Sequence, residues 1–189
     1  MNKIAIFASG SGTNAENLIH YFKENKKIEI SYIFSNNKNA YVIQRAKNHN
    51  IKHYIFSRME FYNTINILQI LQKTNIDFII LAGFLWLIPD YLIKNYPNRI
   101  INIHPALLPK YGGKGMYGMN VHEAVLENNE KESGITIHYV NHEYDKGDII
   151  FQAKCPVNKD DTAETIARKV HALEYEHFPK IVEKIISAL

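Results

Sequence analysis

Three short stretches of this sequence hold residues whose types and spacing suit chemistry. The first is Ile101-Asn102-Ile103-His104-Pro105. Asn102 and His104 are two residues apart, so on a strand they point to the same side. An amide and an imidazole placed together both donate hydrogen bonds, which suits one developing oxyanion. Pro105 stiffens the exit. The second stretch, Asn141-His142-Glu143-Tyr144-Asp145-Lys146-Gly147-Asp148, is polar and rich in carboxylates. A carboxylate from it that reaches His104 would raise the imidazole pKa, hold the ring protonated and accept protons. Spacing alone does not choose between Glu143, Asp145 and Asp148. The third stretch is Ser9-Gly10-Ser11-Gly12-Thr13-Asn14-Ala15. Its glycines permit a sharp turn, and free backbone N–H groups at a following helix start favour an anion such as a phosphate. Thr13 and Glu16 have the spacing of a capping box.

The glycine stretch also matches the dinucleotide pattern Gly-x-Gly-x-x-Ala. That pattern requires an acidic residue at the end of the second strand, to hold a ribose. Here the second apolar run ends Ile33-Phe34-Ser35-Asn36-Asn37, with no acid. A substrate phosphate is therefore favoured over a nicotinamide or flavin cofactor.

The elements that must position these residues follow from the apolar pattern. Short runs at Ile4–Ala8, Ile28–Phe34, His53–Phe56, Phe78–Ala82 and Ile100–Ile103 alternate with helix-like segments at Asn14–Lys26, Asn39–Asn50, Met59–Thr74 and Pro89–Tyr96. This rhythm predicts an α/β fold, a Rossmann-like and mostly parallel sheet with helices on both faces. After residue 103 the rhythm changes. A loop rich in Pro and Gly precedes a helix at Asn120–Asn129, and runs at Gly134–Val140 and Asp148–Cys155 form an antiparallel pair. A long final helix starts near Thr162, with Asp161 and Glu164 spaced as cap and partner, and Pro179 is expected to bend or split it. Residues 1–189 are read as one domain, with a nucleotide-binding half (1–103) and a folate-binding and catalytic half (104–189).

Composition excludes several classes. Hydrophobic residues at 46% and charged residues at 22% argue against extended disorder. A net charge of +3, without blocks of like charge, gives no case for nucleic acid. The first apolar run is too short for a signal or membrane-spanning segment, so the chain is read as cytoplasmic, with no membrane partner. The single cysteine, Cys155, lies in an apolar run and reads as a core thiol in a reducing compartment. No His/Cys cluster has metal-ligand spacing, and no metal is expected. His138 reads as core, or as a neighbour of the site.

Taken together, these segments resemble the glycinamide ribonucleotide formyltransferase family over nearly the whole chain. The resemblance rests on Ser9–Asn14, Leu81-Ala82-Gly83-Phe84, Asn102-Ile103-His104-Pro105 with Leu107-Leu108-Pro109, Gly134–Val140, Asp145-Lys146-Gly147, and Glu174 ahead of Phe178-Pro179. It implies formyl transfer from 10-formyltetrahydrofolate, as co-substrate, to the amine of glycinamide ribonucleotide in purine biosynthesis. It makes Asn102, His104 and Asp145 catalytic. Gly12, Thr13 and Asn14 would hold the ribonucleotide phosphate, with Arg58 adding to it, and Glu174 would contact the ribose or glycinamide. Trp86, Leu87 and Ile88, with Asn141 and His142 in the loop before Asp145, would grip the pterin.

Two departures stand out. Many relatives have Arg where this chain has Trp86, so that side chain carries no charge role here. The Gly112–Gly118 loop is longer than in the shortest relatives and holds four of the nine glycines, which suits a lid over the substrate. Enzymes of this kind that use methionyl-tRNA or water as acceptor carry further domains for which the sequence offers no counterpart. A non-catalytic nucleotide-binding module would not require Asn102, His104 and Asp145 together.

Overall fold

The computed structural model describes residues 1–188. Seven strands form one sheet: β1 (Asn2–Phe7), β2 (Ile28–Ser35), β3 (Lys52–Ile55), β4 (Phe78–Leu81), β5 (Ile100–His104), β6 (Glu132–Tyr139) and β7 (Ile149–Pro156). Their order is β3-β2-β1-β4-β5-β6-β7. The first five run parallel, and β6 and β7 are antiparallel to their neighbours. This is the expected α/β sheet with an antiparallel C-terminal pair.

Seven helices cover it: α1 (Thr13–Phe22), α2 (Tyr41–Asn48), α3 (Arg58–Asn63), α4 (Asn66–Lys73), α5 (Asp90–Asn95), α6 (Met119–Glu127) and α7 (Ala163–Ile186). Alternation along each strand divides the core into two layers. On β1, Ile4 and Ile6 join a cluster with Leu18, Val42, Val125 and Phe178 from α1, α2, α6 and α7. Ala5 and Phe7 face the other way, toward Phe61, Leu71 and Leu92 from α3, α4 and α5. The buried stripe of α7 runs Ile166, Val170, Phe178, Val182 and Ile186, each almost fully removed from water. Each such side chain contributes about 1.5–3 kcal/mol by burial, which holds the helix against the sheet.

Four local expectations are corrected. The Met59–Thr74 segment is two helices, because the Thr64 hydroxyl turns back to the Glu60 carbonyl (2.8 Å) while its backbone is extended. The start of α1 has no capping box from Thr13 and Glu16. Its cap is Gly12 in the left-handed region, and the Glu16 side chain is engaged elsewhere. The cap of α7 is Thr162 with Thr165, not Asp161 with Glu164, and Asp161 accepts from the Thr165 hydroxyl instead. Pro179 does not split α7, which runs unbroken from Ala163 to Ile186. A proline cannot bond the carbonyl four residues back, and here that carbonyl, on Tyr175, accepts the Asn17 amide at 3.1 Å.

Candidate active site

Strand order 2-1-4-5 places the topological switch between β1 and β4, where ligands bind in open α/β sheets. The glycine turn stands at that point. Ser9 N–H donates to the Gly83 carbonyl (3.0 Å) and its hydroxyl accepts from Leu85 N–H (3.1 Å), so the exits of β1 and β4 are tied together. Gly12 has φ +72°, and a Cβ there would stand 2.4 Å from Val42. Only glycine satisfies both conditions.

At the end of β5, the two neighbouring residues read from the sequence meet their carboxylate. Asp145 Oδ2 lies 3.6 Å from His104 Nδ1, and Asp145 Oδ1 accepts from Asn102 Nδ2 at 3.4 Å. Glu143 instead pairs with Lys146 at the surface. The structure thus separates the candidates that spacing left equal. Asp145 reaches inward because its backbone is left-handed, φ +54°, a conformation Asp tolerates. Gly147 then lets the turn lie on β6, since a Cβ there would overlap the Tyr139 carbonyl oxygen at 1.7 Å.

A fourth member is His138. It pairs in register with Asn102 across β5 and β6, accepts from Asn102 Nδ2 (3.1 Å) and lies 3.6 Å from Asp145. Its Nδ1 faces the Tyr139 carbonyl at 2.8 Å. A carbonyl only accepts, so Nδ1 carries the proton and Nε2 is the acceptor. Only the antiparallel register reveals this contact, and sequence does not give register.

The charge state of His104 departs from expectation. Burial pushes its pKa below the ordinary histidine value and outweighs Asp145 and the Tyr111 carbonyl, both of which raise it. The ring is 5% exposed and donates Nε2–H to the Tyr111 carbonyl at 2.7 Å. His104 is therefore neutral at neutral pH in this state, rather than held protonated by Asp145. For Asp145, burial also opposes charge, while the Gly113 N–H (2.8 Å), and the His138 and His104 rings whenever their facing nitrogens carry a proton, lower the carboxyl pKa.

The residues read as nucleotide contacts come from both halves of the chain. Asn14 Nδ2 donates to Glu174 Oε2 at 2.9 Å, in a buried contact between α1 and α7. Glu174 also accepts from His171 (2.8 Å), whose pKa is raised chiefly by that bond. The Asn14 side-chain oxygen is buried without a partner. Thr13 opens α1 beside Gly12. Arg58 lies over the rings of Tyr62 and Trp86, at 5.2 and 5.6 Å. The arginine at the glycine turn is instead Arg45, whose Nε donates to the Ser11 carbonyl at 2.8 Å. No motif marked it.

The stretch read as a pterin grip is tied to the loop before Asp145. Leu87 N–H donates to the Tyr144 hydroxyl (3.1 Å) and the Leu87 carbonyl accepts from Tyr62 (3.0 Å). Trp86 packs among Phe56, Phe61, Tyr62 and Phe84, and Ile88 is buried. Asn141 is spent within its own loop, on Lys146 and Glu143, and His142 pairs with Asp90 at 2.7 Å.

A mostly parallel sheet that ends antiparallel, with this cluster at the end of β5, is a known architecture. The formyl transferase family model matches residues 2–182, and the chain belongs to that family. It is 37% identical over 190 residues to the chloroplastic phosphoribosylglycinamide formyltransferase of Arabidopsis thaliana, covering 97% of this chain but only 65% of that one. It is 34% identical over 188 residues to the phosphoribosylglycinamide formyltransferase of Haemophilus influenzae, covering 97% of this chain and 86% of that one. Among solved structures, the phosphoribosylglycinamide formyltransferase from Bacillus Halodurans superposes with a TM-score of 0.88 at 35% identity, covering 98% of this chain and 96% of that one. No helix among the described residues is long and apolar enough to cross a membrane.

Proposed function

We propose that this chain transfers the formyl group of 10-formyltetrahydrofolate to the amine of glycinamide ribonucleotide, as the names of its relatives indicate. The observation that carries the reading is the contact of Asp145 with both Asn102 and His104 at the end of β5. In this reading the amine attacks the formyl carbon and negative charge gathers on the formyl oxygen. Asn102 donates to that oxygen. Its bond to Asp145 is long, at 3.4 Å, so it is the one that yields. His104 adds a neutral Nε2–H donor once the Tyr111 carbonyl moves aside. Asp145, ionised at rest, takes a proton from the attacking amine, directly or through water, and gives it to the departing folate nitrogen, which restores the carboxylate.

Gly12, Thr13 and Asn14 hold the phosphate through backbone N–H groups, since the Asn14 amide is engaged with Glu174. Glu174 meets the ribose or glycinamide. Trp86–Ile88 and the Asn141–Tyr144 loop hold the pterin. Arg58 belongs with this aromatic wall, where its guanidinium stacks. Both halves of one cytoplasmic domain thus serve each side: residues 1–103 supply the glycine turn and Trp86–Ile88, and later residues supply Glu174 and the Asn141–Tyr144 loop. Formyl transfer is assayed with 10-formyltetrahydrofolate and each acceptor in turn. Formylglycinamide ribonucleotide formed only with glycinamide ribonucleotide supports the reading. Folate deformylation without an acceptor, or transfer to methionyl-tRNA instead, overturns it.

A further inference from the structure

Glu16 and His20 stand one turn apart on α1, on one face, as residues four apart must. His49 caps the end of α2 and meets them. One ligand atom from each of the three lies within 4.8 Å of the others. Sequence spacing did not mark this grouping, because its third member comes from the end of another helix. Glu16 Oε1 and His49 Nε2 are 3.5 Å apart. Two ligands on a tetrahedral zinc, with bonds of about 2.0–2.2 Å, stand at roughly that separation. The His20 ring lies 4.9 Å from the His49 ring and nearly perpendicular to it, which keeps its ligand atom within reach of the other two. His20 is exposed and Glu16 and His49 are partly buried, which leaves an open approach for an ion and a water ligand.

We propose that this junction binds one first-row divalent transition metal per chain, with zinc the ion its donors suit best. Two imidazoles and a carboxylate match zinc, whereas magnesium and calcium require more oxygens. The other Glu16 oxygen accepts from Arg45 Nη1. A ligand carboxylate held in this way is oriented for coordination. Arg45 also donates to the Ser11 carbonyl, so the bound ion ties α1 and α2 to the glycine turn. The Arg45 charge partly cancels that of Glu16, which weakens the pull on a cation. The bland account is an ordinary surface ion pair between Glu16 and Arg45, with two histidines nearby. Calorimetric titration of zinc, and separately of magnesium, into the protein and its His20→Ala, His49→Ala and double variants distinguishes the two. One zinc per chain is expected, with no magnesium binding, about tenfold weakening in each single variant and loss in the double variant. The cobalt-loaded protein should show the intense visible bands of a four-coordinate site. Zinc binding that survives in the double variant, or no saturable binding at millimolar zinc, overturns the proposal.

Discussion

Two clusters in this protein contain the same groups, one carboxylate and two imidazoles, yet differ in what surrounds them. Asp145, His104 and His138 are 12%, 5% and 3% exposed, whereas Glu16 and His49 are 30% and 24% exposed and His20 is more open still. In the first cluster burial sets the charge: it keeps His104 neutral, and only concerted donors keep Asp145 ionised. In the second, solvent screens every charge and leaves the rings free to take a ligand. In the roles proposed here, the same side chains handle protons in one place and offer metal ligands in the other. Environment, not residue type, decides between them.

The sharpest way to break this comparison is Asp145→Asn. The change preserves size but leaves Asn102 and His138 without their shared charge. Turnover should fall by roughly two to four powers of ten, with folding intact and the nucleotide Michaelis constant little changed. Steady-state kinetics and circular dichroism test this. Near-normal turnover, or an equal loss in Glu143→Gln, would refute the assignment of Asp145.

Next in size is Gly12→Ala, which tests whether the glycine turn is rigid enough to anchor either cluster. The new Cβ meets Val42 in a left-handed backbone, at a cost of about 1–3 kcal/mol. Chemical denaturation should show that loss, with partial recovery on adding Val42→Ala. The nucleotide Michaelis constant should rise more than the folate one, and equal rises would count against a phosphate at this turn.

Much of the first cluster was legible in the sequence, and little of the second. Asn102 and His104 share a strand, so period two was enough to pair them. Asp145 emerged from three carboxylates only through family resemblance, because its reach depends on a left-handed backbone that spacing does not reveal. Arg45 was missed, and His138 was read only as core or as a neighbour of the site, for another reason. Each acts across a strand register or a helix packing, and neither leaves a local pattern. The His49 contact with Glu16 was hidden in the same way. The sheet was read correctly because strands buried on both faces write continuous apolar runs. The α3–α4 break was not, because a single threonine back-bond overrode a continuous helical pattern.

Burial should also reveal itself in the pH dependence of stability, through His104 and through His122, another buried histidine, on α6. His104 and His122 have pKa values lowered by burial. Below the unfolded histidine pKa of about 6.5 the unfolded chain binds protons that the folded one refuses, so stability falls as pH drops. His171, raised by Glu174, acts the other way. Its contribution is present below about 6.5 and is lost as pH rises through its folded pKa. Urea midpoints at pH 5 and pH 7 should differ less in His122→Gln than in the parent. An unchanged difference would mean that His122 does not take part.

The smallest effect, and the one that sharpens the comparison most, is expected from Glu16→Gln. The substitution removes the charge that Arg45 faces, but both side chains are partly solvated. Exposed or half-exposed pairs are worth at most about 1 kcal/mol, so the denaturation midpoint should shift slightly. This contrasts with Asp145, whose charge is enclosed and whose loss is felt in the chemistry. Arg45 keeps its bond to the Ser11 carbonyl, because that bond uses Nε and not the nitrogen facing Glu16. The glycine turn should therefore hold, and the nucleotide Michaelis constant should rise only about two- to threefold, the change expected from roughly 0.5 kcal/mol. Raising the salt concentration should shrink the stability difference between parent and variant further, because screening acts on this pair and not on the buried one. A stability loss of several kcal/mol, insensitive to salt, would show that the Glu16 cluster is electrostatically closed after all, and the contrast between the two clusters would collapse.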